Sequence, residues 1–313
     1  MNASPRNSAP KRIKGYKGFT LLEMMASMAV LLVIAGGIIS VINLSQQAYG
    51  RTELKSDMYE NVRGVAELMA QEIGQAGLVS LPTNPSPTVV PAVVSNSAAQ
   101  TVNVSSTTSM FNGETLLIDA GPSEEPVTII TVTPTTIQAI FAQNHLAGAT
   151  ITALGVYPTG IMPPGAVDGS TGTTLNLYGD LNGDGTLVYI RYVCAPGTTA
   201  APGTLSRSST TITPGVNTIN ASQNLLSTLV PNPNGTACFQ YATTPVNGGN
   251  SVNQLGITLT VQTNEPDPQT QQYATMTKSF LNMEPRNIMM AIELSGLQIT
   301  NRFQAQPPNV AAY

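Results

Sequence analysis

The segment Gly18–Glu23 (GFTLLE) leads directly into a long apolar run, Met24 to Leu44 (MMASMAVLLVIAGGIISVINL). The run contains no charged residue, and as a helix it would reach about 30 Å, the thickness of a bilayer core. An ionised carboxylate such as that of Glu23 costs several kcal/mol in lipid. We therefore predict a membrane segment that can leave the lipid and pack against copies of itself, with Glu23 meeting a partner there.

The residues before the apolar run decide which kind of membrane signal this is. They carry no acidic residue and five basic ones: Arg6, Lys11, Arg12, Lys14 and Lys17. By the positive-inside bias, such a segment holds the N-terminus in the cytoplasm. A secretory signal peptide has a shorter apolar core, with its cleavage site on the far side. Here the plausible cleavage point, Gly18-Phe19, precedes the apolar run, so cleavage would leave the helix on the mature protein.

The same residues resemble the type IV prepilin family. Its signature is a basic leader, a glycine, an aromatic residue or methionine, and a glutamate four residues further on, and Lys17–Met24 (KGFTLLEM) matches it at every position. The resemblance implies that a prepilin peptidase cuts after Gly18 and N-methylates Phe19. It also implies that Glu23 pairs with the N-terminal amine of a neighbouring subunit in a filament. A buried carboxylate is tolerable when it meets an opposite charge.

Beyond Leu44 the helical pattern continues and becomes amphipathic. Apolar residues recur at spacings of three and four, which places them on one helical face: Leu54, Met58, Val62, Val65, Met69, Ile73 and Ala76. Gly74 and Gly77, followed by prolines, mark its end. We predict one helix within residues 19–80, of which 19–44 form the transmembrane and assembly segment. Its outer half is expected to pack on a globular head.

The end of this helix has a narrower resemblance. Tyr59–Arg63 (YENVR) and Ala70–Leu78 (AQEIGQAGL) are similar to the corresponding part of PilW-like minor pilins, and more loosely to pseudopilin J of type II secretion. This similarity covers only the first quarter of the chain. It implies a minor subunit of a filament.

From about Thr83 the composition changes to Thr, Ser, Asn, Gln, Gly and Pro, and short β-branched runs recur between turn residues. This pattern predicts a β-rich head over residues 81–313, and with the helix an α+β, pilin-like fold. We expect Leu81–Pro91, Pro158–Thr174 and Ala195–Pro214 to be surface loops. The runs expected as strands are Thr88–Val94, Thr101–Val104, Glu114–Asp119, Val127–Val132, Thr136–Phe141, Thr173–Tyr178, Thr186–Val193, Gln254–Gln262, Gln272–Met283 and Ile288–Leu294.

Charge argues against a nucleic-acid-binding head. The chain has 13 Lys and Arg against 17 Asp and Glu, and five of the basic residues lie in the leader. Removing the leader therefore leaves an acidic protein. Because contacts with duplex phosphates need a basic stripe, no nucleic-acid partner is predicted.

The sequence contains two cysteines, Cys194 and Cys238, both outside the membrane in the predicted topology. Disulfides persist in that compartment, and a bridge would clamp the Thr/Pro/Gly-rich insert between them. The alternative is a pair of buried free thiols. A catalytic cysteine is disfavoured because the single histidine, His145, lies in a separate β segment with no motif around it.

Asp180–Gly185 (DLNGDG) is the one segment whose residue types and spacing are typical of a metal-binding loop. Oxygens at alternate positions with a glycine at the sixth suit a calcium loop, with side chains of Asp180, Asn182 and Asp184 and the carbonyl of Thr186 as ligands. The twelfth position of an EF-hand is Glu, but here it is Arg191, so a missing ligand would come from Asp168 or water. The alternative is a hairpin turn without metal, since Asn-Gly and Asp-Gly favour such turns.

No segment resembles an enzyme site: nucleophile elbow, phosphate loop, His-rich metal set and dinucleotide fingerprint are all lacking. Glu124 and Glu125 are adjacent, and neighbours in an extended chain point to opposite faces, so they form no general-acid pair. We expect a non-enzymatic protein without a cofactor, calcium in a structural role aside.

These observations predict a PilW-like minor pilin of a type IV pilus, taking part in assembly or its initiation near the tip. The expected partners are the prepilin peptidase, the inner-membrane assembly platform and other major and minor pilins. The expected location is the inner membrane as a single span, with the head outside the cytoplasm, and the pilus after assembly. The alternatives are a J-like pseudopilin of type II secretion and an adhesin carried on a pilin helix.

Overall fold

The computed structural model describes residues 18–83, 85–213, 215–246, 249–267 and 269–313. Of the predicted leader, residues 1–18, only Gly18 belongs to the described residues. The chain forms two compact units, one ending at Glu53 and the other spanning Leu54–Tyr313. The helix α1 (Leu21–Gln75) contributes residues to both units.

Of the first unit, the structure describes residues 18–53, and those from Leu21 onward belong to α1. Its large apolar side chains, including those of Leu31, Ile34 and Ile38, are exposed. Among the described residues, α1 is the one helix long and apolar enough to cross a membrane, and none of its most apolar 18-residue window is buried. An apolar surface of this extent needs a lipid or protein environment.

The second unit is rich in strands. Among the described residues, its strands and its α-helix after α1 are β1 (Asn96–Asn103), β2 (Thr115–Ile118), β3 (Glu125–Thr128), β4 (Thr131–Val132), β5 (Thr136–Phe141), β6 (Ile151–Ala153), β7 (Thr174–Gly179), β8 (Val188–Ala195), β9 (Gly203–Thr211), β10 (Gln223–Val230), β11 (Phe239–Val246), β12 (Gly249–Gln262), β13 (Thr275–Met283) and α2 (Arg286–Gly296).

In the part of the chain that the structure describes, seven strands form one antiparallel sheet. Its order is β11-β12-β10-β9-β8-β7, and β13 also pairs with β12. The register pairs Leu177 with Ile190, and Tyr192 with Arg207. Two three-stranded sheets of described residues, β1-β5-β4 and β3-β2-β6, make up a smaller module between α1 and β7. Together with α1, these sheets give the α+β fold that the sequence predicts.

The main core lies between α1 and the seven-stranded sheet. The helical stripe predicted from the spacing of three and four is buried there at Met58, Val62, Val65, Met69 and Ile73. Strand alternation places Ile190, Tyr192 and Cys194 of β8 against the same core. The other face of β8 carries Tyr189 into a second cluster with Tyr157 and Tyr178.

A buried ion pair also joins α1 to the sheet. Arg207 of β9 donates from Nε to both carboxylate oxygens of Glu72, at 3.1 and 3.2 Å, and from Nη2 to Oε1 at 2.5 Å. The hydroxyl of Tyr192 donates to Oε2 of the same carboxylate. Desolvation lowers the pKa of Arg207, but hydrogen bonds and the charge of Glu72 outweigh it and raise that pKa overall. The pair therefore connects the helix to two neighbouring strands.

The end of α1 follows the prediction from its glycines. The helix ends at Gln75, and Gly77 has φ +80°, a conformation that glycine adopts without strain. A Cβ at this position would come within 2.7 Å of the Tyr157 carbonyl oxygen. Gly77 N donates to Tyr178 O at 2.9 Å, which joins the helix end to β7.

Several sequence predictions of strands were wrong. Ile288–Leu294, predicted as a strand, lies in α2. Ala195–Pro214, predicted as a surface loop, contains β9, which pairs with both β8 and β10. Thr88–Val94 makes only isolated bridges, and β10 and most of β11 were not predicted. The remaining predicted runs overlap observed strands, with Thr136–Phe141 matching β5 at both ends.

Candidate functional site: the processing and assembly segment

The predicted processing residues precede α1. Gly18, Phe19 and Thr20 have no regular secondary structure and are exposed, and α1 begins at Leu21. An exposed, non-helical segment is one that a peptidase can bind in extended form. The structure therefore leaves the Gly18-Phe19 bond accessible, while the cleavage itself stays a prediction.

Glu23 caps the helix that it belongs to. Its Oε2 accepts hydrogen bonds from the backbone N and the hydroxyl of Thr20, both at 3.1 Å, and Glu23 N donates to Thr20 Oγ1 at 3.3 Å. This reciprocal arrangement is a capping box, and it satisfies orphan donors of the first turn. Among the described residues, no cation is paired with Glu23.

The sequence analysis did not predict the role of Thr20 as the partner of Glu23 in the capping box. The signal was present, because Thr20-Leu21-Leu22-Glu23 fits the S/T-x-x-E pattern that precedes an apolar run. A carboxylate in this position is partly satisfied within its own chain.

The structure contains the disulfide between Cys194 and Cys238. Cys194 lies in β8, and Cys238 immediately precedes β11. Both cysteines are buried in the core between α1 and the sheet. The bridge confirms the predicted pairing. It joins β8 to the start of β11, and β9 and β10 lie between these two strands in the sequence.

In the predicted calcium loop, the carboxylate oxygens of Asp180 already accept hydrogen bonds from the chain itself. Asp180 is fully buried: Oδ1 accepts from the backbone N of Gly183 and Asp184 at 2.8 and 3.1 Å, and Oδ2 accepts from Gly185 N at 2.9 Å. The Ser80 hydroxyl also donates to Oδ2. Gly185 has φ +82°, and a Cβ there would meet the Pro82 backbone at 2.1 Å. These contacts tie the turn to the segment after α1.

The other predicted calcium ligands do not converge on Asp180. Asn182 and Asp184 are exposed, and Asp184 Oδ1 accepts from Thr186 N at 2.8 Å. Asp168, the suggested additional ligand, pairs with Arg191 and accepts from the Tyr189 hydroxyl. Among the described residues, no group of three or more His, Cys, Asp or Glu is placed to hold a metal ion. Calcium binding therefore stays a prediction, and it would require Asp180 to exchange its present donors.

We expect Asp180→Asn to lower the free energy of unfolding of the head by about 1–2 kcal/mol, because the amide nitrogen would face the donors now held by Oδ2. Asp184→Asn, at an exposed position with one local hydrogen bond, should change it by less than about 0.5 kcal/mol. Urea denaturation measures both. A melting temperature raised by about 10 mM calcium in the wild type but not in Asp184→Ala, which lacks the ligand oxygen, would instead support the calcium site.

His145 is buried between two carboxylates. Its Nε2 lies 2.8 Å from Glu125 Oε1, and its Nδ1 lies 3.4 Å from Asp119 Oδ2. Glu125 Oε2 accepts from the backbone N of Ala142 and Gln143 at 2.9 and 3.2 Å. The cluster ties the turn between β2 and β3 to the segment after β5, which is a structural use of the histidine.

Glu114 is a buried carboxyl that the sequence did not single out. It immediately precedes β2, and its Oε2 accepts from Phe111 N at 3.2 Å. Its Oε1 and the hydroxyl of Tyr157 have no hydrogen-bond partner among the described residues. Burial raises the pKa of Glu114 to about 8, although the Phe111 hydrogen bond acts in the opposite direction. Burial, with Glu114 adding to it, also raises the pKa of Tyr157.

The first unit contains an exposed apolar helix, and the second contains a β-rich head on an amphipathic helix; this α+β fold is consistent with a pilin. Residues 13–39 match the family of the prokaryotic N-terminal methylation motif. The chain therefore carries the N-terminal methylation motif of type IV prepilin leaders, which supports its recognition as a type IV pilin-like protein. Comparison with curated proteins gave no match, and comparison with solved structures gave none either.

The matched segment contains the residues that the sequence predicts for processing and assembly. It includes Gly18, Phe19 and Glu23 and extends into the exposed apolar half of α1. A leader of this type implies processing by prepilin peptidase and assembly with other pilins. It also indicates a structural subunit, and it fits anchoring in a membrane before assembly.

Proposed function

We propose that the protein is a PilW-like minor subunit of a type IV pilus, acting in pilus assembly or its initiation near the tip. The observation that carries the proposal is the methylation motif at 13–39, followed by a helix whose apolar surface is exposed up to Glu53. During polymerisation, contact with neighbouring helices would replace the lipid around this surface. The head would remain on the outer side of the membrane.

Size favours a minor role. Cleavage after Gly18 leaves residues 19–313, and most of these belong to the unit Leu54–Tyr313. A head of this bulk fits poorly at every position of a thin filament. Its partners would be the prepilin peptidase, the assembly platform and other pilins.

A J-like pseudopilin of type II secretion is the second candidate, because Tyr59–Arg63 and Ala70–Leu78 also resemble pseudopilin J, though more loosely than they resemble PilW-like minor pilins. The two candidates differ in the phenotype of a deletion strain. Loss of surface pili with normal protein secretion supports the pilus subunit. Loss of secretion with normal pili supports the pseudopilin. An adhesin carried on a pilin helix would instead leave both intact and abolish attachment.

The processing of the leader tests the proposal directly. We expect mass spectrometry of the membrane-extracted protein to show a mature N-terminus at methylated Phe19. Replacing Gly18 by a bulky residue such as leucine should block cleavage, because a side chain at this position would hinder close approach of the backbone to the peptidase. Gly36→Leu, beyond the cleavage point, is the control and should be processed normally. An intact Met1 in cells with an active prepilin peptidase would refute the proposal.

Assembly is expected to depend on the charge of Glu23. Glu23→Gln keeps an oxygen that can accept from Thr20, so the capping box remains while the charge is removed. We expect this variant to be inserted and cleaved normally but to be at least tenfold depleted in sheared pili, because the neighbour's amine loses its partner. Immunoblots of membrane and pilus fractions measure both quantities.

Thr20→Val is the matched control for the capping box, since it removes the hydroxyl and retains the charge. Near-normal incorporation of Thr20→Val with depletion of Glu23→Gln would assign the effect to the charge. Equal amounts of Glu23→Gln and wild-type protein in purified pili would show that pairing with an amine does not direct assembly.

A further inference from the structure

Strand β13 is an open edge of the seven-stranded sheet, paired with β12 on one side. Thr263 N donates to Ala274 O at 2.9 Å, so even-numbered residues from Ala274 to Phe280 direct their backbone groups toward β12. The backbone groups of Thr275, Thr277 and Ser279 consequently point outward. Among the described residues, these outward groups have no hydrogen-bond partner.

Edges of this kind are normally protected against pairing. Proteins use proline, several charges or a covering segment for that purpose. The strand β13 (TMTKSFLNM) contains no proline and one charged residue, Lys278. Its nine residues are therefore available for pairing with another chain.

A groove runs beside this edge, between β13 and the part of α1 that starts at Tyr59. It has a volume of 620 Å³, and its wall on β13 consists of Met276, Lys278 and Phe280. Small residues, Ala66 and Ala70, leave space on the α1 wall. The other face of β13 is already used, because Thr277 and Ser279 pair through their hydroxyls with Thr260 and Thr258 at 2.9 and 3.1 Å.

From this placement we infer that β13 and the groove bind an extended peptide segment of another protein, which adds one strand to the sheet. An extended backbone can pair with the outward N–H and C=O groups, whereas a bound helix would leave them unpaired. Side chains at every second position of the segment enter the groove, so these positions are apolar. The groove and the edge thus specify one ligand class.

The charges select an acidic residue at the centre of the segment. Lys278 is the one charged residue on the β13 wall; its Nζ lies 5.7 Å from the centre of the Phe280 ring, and no ion pair with it is found among the described residues. On the α1 wall, Arg63 and Glu67 pair with each other at 2.7 Å, and Glu60 lies further along that wall. A carboxylate of the bound segment opposite Lys278 would form an ion pair with it. The groove-facing residues of the segment before and after that carboxylate would be apolar.

Peptide binding to the full-length protein in detergent micelles tests the inference. The probe is the labelled peptide acetyl-VTVTETVTV-amide, and the control peptide VVTTETTVV has the same composition without the alternation. Fluorescence polarisation should show at least tenfold tighter binding of the alternating peptide. Thr277→Pro should weaken that binding about tenfold, because it removes an outward N–H while leaving every β12–β13 hydrogen bond in place.

A charge reversal gives the second measurement. Lys278→Glu should weaken binding of the alternating peptide about threefold and strengthen binding of VTVTKTVTV by a similar factor. Equal binding of both alternating and control peptides, or no effect of Thr277→Pro in a protein with unchanged circular dichroism, would overturn the inference. A dimer of the protein itself that Thr277→Pro abolishes would assign the edge to a second copy, and would also overturn it. None of these outcomes depends on leader processing or pilus assembly.

Discussion

Replacing Arg207 by methionine is expected to lower the free energy of unfolding of the Leu54–Tyr313 unit by about 3 kcal/mol. Among the described residues, the Glu72 carboxylate, whose side chain is 9% exposed, would then keep only the hydroxyl of Tyr192 as a partner. Breaking a buried ion pair costs about 3–5 kcal/mol because the remaining charge is left unpaired away from water. The low end applies because the Arg207 side chain is 22% exposed. Urea denaturation of a Leu54–Tyr313 fragment measures the change.

Two comparisons separate the buried charge from other effects of the substitution. Arg63→Met removes a pair on the same helix, Arg63–Glu67, in which Arg63 is 81% exposed, and should cause no measurable change. The double variant Glu72→Met with Arg207→Met should regain most of the lost stability, because no uncompensated charge remains. If the double variant is as unstable as Arg207→Met, the loss comes from packing rather than from the unpaired carboxylate.

The sequence was sufficient for the long helix, because two local signals agree there. The apolar run and the spacing of Met58, Val62 and Val65 both have the helical period, and Gly77 ends the pattern. The processing segment was also predictable, since its residues are contiguous. Strands whose β-branched runs alternate in burial, such as β5, were found for the same reason.

Local signals failed where tertiary contacts select the structure. Ile288–Leu294 contains isoleucines that favour a strand, but the spacing of the buried Ile288 and Ala291 is helical, and Pro285 precedes the first turn. The strand β9 is rich in Ser and Thr and reads as a loop, although its position between β8 and β10 buries Ser208 and Thr210. Propensity is overridden in both segments.

No local pattern in the sequence could have predicted the buried polar contacts. Glu72 and Arg207 are separated by 135 positions and meet because α1 lies on the sheet. In the sequence, Glu72 lies outside the apolar stripe of the helix, so no local signal indicates that it is buried. Glu114 likewise lies at the start of a run predicted as a strand, which does not indicate that its carboxyl is buried. Its burial results from packing of the small module near Tyr157.

Stability of the head is expected to fall as the pH rises from about 4.5 to about 8, through the titration of Glu114. The carboxyl has a pKa of about 8 in the folded protein against 4.5 as its ordinary value. Between these values the unfolded chain releases a proton that the folded chain retains, so ionisation favours unfolding. The contribution is fully present below pH 4.5 and is lost by about pH 8, at about 1.4 kcal/mol per pH unit and with an upper limit of about 5 kcal/mol.

The variant Glu114→Gln isolates this effect from other titrating groups. A neutral amide of similar shape removes the proton linkage, so the stability difference between the variant and the wild type should grow with pH and level off above about 8. Glu124→Gln, at an exposed position in the same module, should follow the wild type at every pH. Urea denaturation of the fragment at pH 5, 6, 7, 8 and 9 gives the three curves. Parallel curves for Glu114→Gln and wild type would contradict the prediction, because they would mean that Glu114 ionises equally easily in both states and that water reaches its carboxyl in the folded head.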